Sequence, residues 1–231
     1  MPQAEAVRSM FGGIAKRYDL ANHLLSGGVD YWWRRVLVKK VKETHPKLVA
    51  DLATGSGDVA FALKKKLGND VEVRGLDFCQ PMLDEAIKKR DARDPSPAIT
   101  FEIGDILKLP LETDSVDAMT VAFGVRNLEN REQGLKDILR SLKPGGKIFI
   151  LEFSQPYRWF RPIYYAYLKY ILPTLAGWVT GQPEAYDYLG DSIEAFPPRQ
   201  QLISELEAAG FKNVAALRMT LGIVAIHEGT A

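Results

Sequence analysis

The stretch Val49-Ala-Asp-Leu-Ala-Thr-Gly-Ser-Gly-Asp-Val-Ala60 decides how the chain is read. Its first half is an apolar run of the length a buried strand needs. Its second half opens VAFALKKKL (59–67), whose apolar residues recur at helical spacing. Between them, Gly55-Ser56-Gly57-Asp58-Val59-Ala60 spells G-x-G-x-x-A. Glycines at the first and third places let the backbone turn sharply and bring a ligand close to the amino end of a helix. That points to a nucleotide-like ligand held at Gly55 and Gly57, although glycine pairs at this spacing also make ordinary turns.

Outward from this loop the same rhythm repeats. LVADLA (48–53), VEVRGLD (71–77), ITFEIGD (99–105), VDAMTVAF (116–123) and GKIFILEF (146–153) read as strands, while PMLDEAIKKR (81–90) and REQGLKDILRSL (131–142) read as helices. Strands alternating with amphipathic helices predict an α/β fold, a parallel sheet covered on both faces. Residues 154–198 break the rhythm with an aromatic-rich stretch that reads as a helical insertion or lid. RQQLISELEAAG (199–210) is then a helix ending at Gly210, and FKNVAALRM and LGIVAIHE are two last strands. With no helix between them, those two pair antiparallel, making seven strands in all. Residues 1–47 read as short helices broken by Ser26-Gly27-Gly28, ahead of a ligand-binding core at 48–153, all within one domain.

Composition narrows the function classes. A formal charge of +1 gives no electrostatic case for a nucleic-acid partner. The single cysteine, Cys79, permits no internal disulfide and suits a reducing compartment, so the expected location is the cytoplasm. It reads as a small buried residue rather than a nucleophile. No apolar run approaches the roughly twenty residues of a membrane span. The three histidines lie far apart without ligand spacing, and no metal is expected.

The acids refine the ligand. Asp77 closes the second strand about twenty residues after the loop, where a carboxylate accepts from both ribose hydroxyls or simply ends a strand in water. This spacing fits NAD as well as S-adenosylmethionine. Asp51, just before the glycines, orients the loop and lies where an ammonium group would sit, whereas an acid there would repel pyrophosphate. Gly104-Asp105-Ile106 ends the third strand with an acid for the exocyclic amine of adenine and an apolar neighbour to cover the ring. These features favour S-adenosylmethionine as cofactor over a dinucleotide.

With those motifs in place, the chain resembles the ubiquinone/menaquinone biosynthesis C-methyltransferases, the UbiE/MenG family of class I S-adenosylmethionine-dependent methyltransferases. The likeness runs nearly end to end, through KRYDLAN (16–22), DLATGSGD (51–58), GDILKLPL (104–111), FGVRN (123–127), LKPGG (142–146) and LEFSQP (151–156). It implies a Rossmann-like seven-stranded fold, and places Ser56 on the donor's methionine end, Asp77 on the ribose, and Asp105 with Ile106 on adenine. Relatives carry a small hydroxyl residue at the cofactor-binding position that is Ala122 here, which has no side-chain hydrogen bond to offer. Many also carry histidine where this chain has Asp30.

The resemblance implies a polyprenyl hydroquinone as methyl acceptor, either demethylmenaquinol or the benzoquinol of ubiquinone synthesis. Attack by a ring carbon requires its neighbouring hydroxyl to ionise, and a fixed cation lowers that pKa. Arg126, after the fourth strand, is the candidate cation, or else half of a structural salt bridge. Asn127 orients the hydroxyl or caps the turn. Tyr18, beside Asp19, closes over the donor or packs in the core. The insertion PYRWFRPIYYAYLKYILPTLAGWV (156–179) suits a lid over a lipid tail, a face resting on a membrane, or a buried helix. Rival functions are a methyltransferase for another small molecule, an NAD-dependent oxidoreductase and a non-catalytic donor-binding protein.

Overall fold

The computed structural model describes residues 12–13, 23, 26–93, 97–174 and 184–231, the last segment with side chains from residue 189 onward. Helix α1 (Val29–Lys42) leads into β1 (Leu48–Leu52), α2 (Asp58–Leu67), β2 (Glu72–Asp77), α3 (Gln80–Asp91), β3 (Ile99–Ile103) and β4 (Val116–Ala122). Then follow α4 (Arg131–Ser141), β5 (Leu142–Phe153), α5 (Arg161–Ala166), α6 (Glu184–Ala195), α7 (Arg199–Ala209), β6 (Lys212–Met219) and β7 (Val224–Thr230).

The seven strands form one sheet in the order β3-β2-β1-β4-β5-β7-β6. The first five run parallel, and β7 is antiparallel to both β5 and β6. The antiparallel final pair is as the sequence predicts. The chain steps outward from β1 to β3, then returns to place β4 on the other side of β1. Open α/β sheets bind their ligands at such a reversal, beyond the carboxyl ends of the strands.

Both faces of the sheet's centre are covered, so its central strands are apolar in both directions. In β5, Ile148 and Ile150 join Leu135 and Ile138 of α4 and Leu202 and Leu206 of α7. Phe149 and Leu151 face the opposite way, toward Trp33, Leu37 and Val41 of α1 and Leu63 of α2. Leu37 is fully buried, and truncating such a leucine to alanine costs about 2–5 kcal/mol.

Turn chemistry places the element ends. Gly27 and Gly28, both at positive φ, precede α1, and Gly210 at φ 111 stops α7. Asn130 caps α4 by accepting from the Gln133 N–H at 3.0 Å. The LKPGG stretch belongs to a strand that begins before the GKIFILEF run. β5 starts at Leu142, opposite Val116, and residues 143–146 bulge before Lys147 pairs with Ala118. Gly145 takes φ 81 there, and a Cβ on Gly146 would lie 2.8 Å from the Lys143 carbonyl.

The described residues of the insertion are largely helical. α5 continues through a wide turn at Tyr167–Ile171, and Tyr164, Leu168, Leu172 and Ile193 bury a satellite cluster against Phe153 and Phe160. Trp159, Ile163 and Tyr170 point outward, each more than 60% exposed. Among the described residues, no helix is long and apolar enough to cross a membrane.

Candidate functional site: two cavities meeting at Phe123

The carboxyl ends of β1 and β4 carry two non-glycine residues in the left-handed region, Ala53 at φ 49 and Phe123 at φ 58. Such backbone costs of order 1–3 kcal/mol per residue and persists only where its surroundings enforce it. Here the two loops nearly touch: a Cβ added to Gly124 would come 2.6 Å from the Ala53 Cβ. The glycine is thus a steric requirement of the close approach at the reversal.

A first cavity opens over this point, lined by Ala53, Gly55, Asp77, Asp105, Ile106 and Ala122, with Asn127 and Glu129 beyond. Asp77 is its most constrained acid. Its Oδ2 accepts from the Gly55 N–H at 2.8 Å and its Oδ1 from the Cys79 N–H at 2.9 Å. Burial pushes its carboxyl above the ordinary range despite those bonds. Asp105 is exposed at the rim and accepts from the Leu107 N–H at 2.9 Å. The lining includes three acids and, among the described residues, neither lysine nor arginine. A cationic ligand suits such a cleft; a pyrophosphate does not.

The remaining loop residues lie beneath this cavity. Asp51 is buried, its carboxylate accepting from the Thr54 hydroxyl at 2.7 Å and the Thr120 hydroxyl at 2.6 Å. Burial, with the Asp77 charge adding, pushes it up to about 6. Through Thr54 it fixes the glycine loop, but it does not line the cavity. Ser56 is buried too, and its carbonyl accepts from Lys89 Nζ at 3.2 Å. The Gly57 N–H turns back to the Thr54 carbonyl at 2.9 Å, with the glycine at φ 87. Tyr18 lies outside the described residues. Cys79 is buried, as expected.

A second, larger cavity of about 390 Å³ adjoins the first across Phe123, which lines both. Its walls are mostly apolar: Trp33 from α1, Phe153 from β5, and Phe160, Ile163, Tyr164 and Leu168 from the insertion. Arg126 reaches this cavity. It forms the salt bridge that the sequence left open as a second reading. Its Nη1 pairs with Glu152 Oε1 at 3.0 Å and also donates to the Phe123 carbonyl, while its backbone N–H reaches Glu152 Oε2 at 3.2 Å. The guanidinium lies 5.4 Å from the Phe153 ring centre, and its Nε is buried with no partner among the described residues. Asn127, next in sequence, faces the first cavity instead.

Sequence reasoning missed Glu152, Phe123 and the Asp30–Arg34 pair on α1. Glu152 left a signal, a lone acid inside the apolar run of β5. Phe123 stands in FGVRN and Asp30 replaces the histidine of many relatives, but nothing local says what either one meets.

The sheet order, the antiparallel β7, and the glycine-loop cleft over β1 and β4 define the class I methyltransferase fold. Solved structures agree: a SAM-dependent methyltransferase from Aquifex aeolicus superposes with a TM-score of 0.61 at 19% identity, covering 84% of this chain and 88% of that one. One from Thermotoga maritima gives 0.66 at 16%, covering 96% and 98%. At those identities the likeness concerns the fold alone. A sequence model of the ubiE/COQ5 methyltransferase family matches residues 2–231, and the chain belongs to that family. It is similar to a demethylmenaquinone methyltransferase from Thermus thermophilus, 43% identical over 95% of this chain and 99% of the relative. It is likewise similar to a ubiquinone/menaquinone biosynthesis C-methyltransferase UbiE from Geotalea daltonii, 38% identical over 98% and 97%.

Proposed function

We propose that the protein methylates a ring carbon of a polyprenyl hydroquinone from S-adenosylmethionine, with demethylmenaquinol as the first acceptor and the benzoquinol of ubiquinone synthesis as the second. One observation carries this reading: an acidic, glycine-lined cleft meets a large apolar cavity at one residue, Phe123. The names of the relatives support the choice of acceptor.

The residues of the cleft fit the donor. Asp77 holds the ribose hydroxyls, with its carboxylate pre-set by two backbone N–H groups. Asp105 and Ile106 take adenine, Gly55 and Ala122 leave room for close approach, and Asp51 and Ser56 support the methionine end from below. The donor supplies an electrophilic methyl group on a sulfonium. On the acceptor side, Arg126 stabilises the phenolate oxygen next to the reacting carbon, and Asn127 orients the ring from the donor side. Because Glu152 balances its charge, Arg126 acts through directed N–H groups more than through net charge.

A lipid acceptor has to leave its bilayer. Trp159, Ile163, Tyr170 and Ile171 on the insertion are exposed beside Arg158, Arg161 and Lys169, a composition that suits docking on an anionic membrane surface. Ile163 also lines the acceptor cavity, which supports an entrance for the tail on that face.

Purified protein with methyl-labelled donor and each quinol in detergent tests the reading, and absence of label in both lipids would sink it. Transfer to soluble phenols or amines alone would assign a different acceptor. Sedimentation with anionic vesicles tests the membrane face, where Trp159→Ser/Ile163→Ser should release the protein.

A further inference from the structure

The acceptor cavity contains a second polar group that the proposed chemistry leaves unused. Ser26, Asp30 and Arg34 line it from the α1 side. Asp30 is 3% exposed. Its Oδ2 meets His23 Nδ1 at 2.6 Å and the Arg34 guanidinium, and its Oδ1 accepts from the Ser26 hydroxyl at 2.7 Å. A carboxylate offers about four acceptor positions, so these three partners, counted among the described residues, leave one on Oδ1. Burial alone would raise this carboxyl, but the Ser26 hydroxyl, the Arg34 charge and His23 outweigh it and hold the group below its ordinary range. Asp30 is therefore an acceptor only.

A hydroquinone and its quinone have nearly the same shape. They differ in that one presents two O–H donors and the other two carbonyl acceptors. Resting on the hydroquinone reading above, we propose that Asp30 accepts a hydrogen bond from the substrate's second hydroxyl, the one not held by Arg126, and thereby selects the reduced form over the oxidised one. A quinone carbonyl at this place would oppose a buried carboxylate with no proton between them. Arg126 makes no such choice, because its N–H groups serve carbonyl, hydroxyl and phenolate alike. A carboxylate beside the second hydroxyl also opposes its ionisation, so the phenolate forms at the Arg126 end.

Calorimetry under anaerobic conditions tests this on the full-length chain, using a naphthoquinol with one prenyl unit, its quinone, and its two mono-O-methyl ethers. The quinol should bind about tenfold or more tightly than the quinone, the size of one lost hydrogen bond to a charged group. One mono-ether should bind as weakly as the quinone. Asp30→Asn, whose amide both donates and accepts, should abolish the preference. Equal binding of quinol and quinone to the unaltered protein, or a preference unchanged in Asp30→Asn, overturns the assignment. The ligand comparisons need no variant, so they decide the matter even if Asp30→Asn does not fold. Binding without preference removes this inference alone, whereas no binding of either form removes the hydroquinone reading with it.

Discussion

Replacing Arg126 by alanine should cost stability and turnover together, and a second substitution should separate the two. The side chains of Arg126 and Glu152 are 3% and 0% exposed. Removing one partner of a buried pair costs about 3–5 kcal/mol, because the other charge is stranded. Two donors would still reach Glu152 in the variant, the backbone N–H of residue 126 at 3.2 Å and that of Phe153 at 2.8 Å. The lower end, about 3 kcal/mol, therefore applies, and for a chain of this length it lowers Tm by about 6–12 °C. Turnover should fall about 10²–10³-fold, as for loss of one donor to a developing oxyanion. Arg126→Met/Glu152→Gln removes both charges and keeps an acceptor for the two backbone groups. Scanning calorimetry should show most of the Tm restored in this double variant, while label transfer stays lost. Recovery of turnover along with Tm would show that the single variant failed only by strain and would take Arg126 out of the mechanism. An unchanged Tm in Arg126→Ala would refute the buried pair.

Asp51, raised to about 6 from an ordinary 3.8, binds a proton in the folded state over a window where the unfolded chain has lost it. Its contribution is therefore fully present below about pH 4 and lost as pH rises through about 6; Asp51→Asn should raise Tm more at pH 7 than at pH 4.5, and equal gains would contradict this. Gly124→Ala drives a Cβ to 2.6 Å from that of Ala53 and should lower stability by about 1–3 kcal/mol while weakening S-adenosylhomocysteine, both measurable in one thermal-shift titration. Asp77→Ala frees the Gly55 N–H and deletes the acceptor for the ribose, so S-adenosylhomocysteine affinity by calorimetry should drop about 10–100-fold, and retained affinity would move the ribose elsewhere.

The cleft proposed for the donor was legible because it is local. Gly55, Asp77, Asp105 and Ala122 each stand at or just past a strand end, and a parallel sheet brings consecutive strand ends to one edge. Reading strands by apolar runs therefore also located the cleft. Ser56 and Gly57 lie next to Gly55 in sequence yet turn beneath the loop, since spacing along a turn does not say which residue faces the ligand. The acceptor half comes from distant segments: Trp33 on α1, Phe153 on β5, Leu168 in the insertion and Thr220 before β7. No periodicity links those positions, and only packing assembles them. Glu152 marks the boundary between the two cases. An acid in a strand buried on both faces demands a partner, but not which one.

The two halves depend on each other through a single strained residue. Phe123 lines both cavities, and its left-handed φ is held at both ends, its N–H donating to the Leu151 carbonyl at 2.8 Å and its own carbonyl receiving Arg126. Its ring packs 4.8 Å from that of Phe153 and 6.1 Å from that of Trp33, centre to centre. On the proposed reading, the backbone turn that leaves room for the donor also aims the guanidinium into the acceptor cavity, and the Phe123 ring forms the wall between the two. A residue under that many constraints has little freedom to relax. Methyl transfer needs the reacting atoms held about 3–3.5 Å apart and in line, and on the proposed reading a constrained residue at the junction of the two cavities serves that alignment.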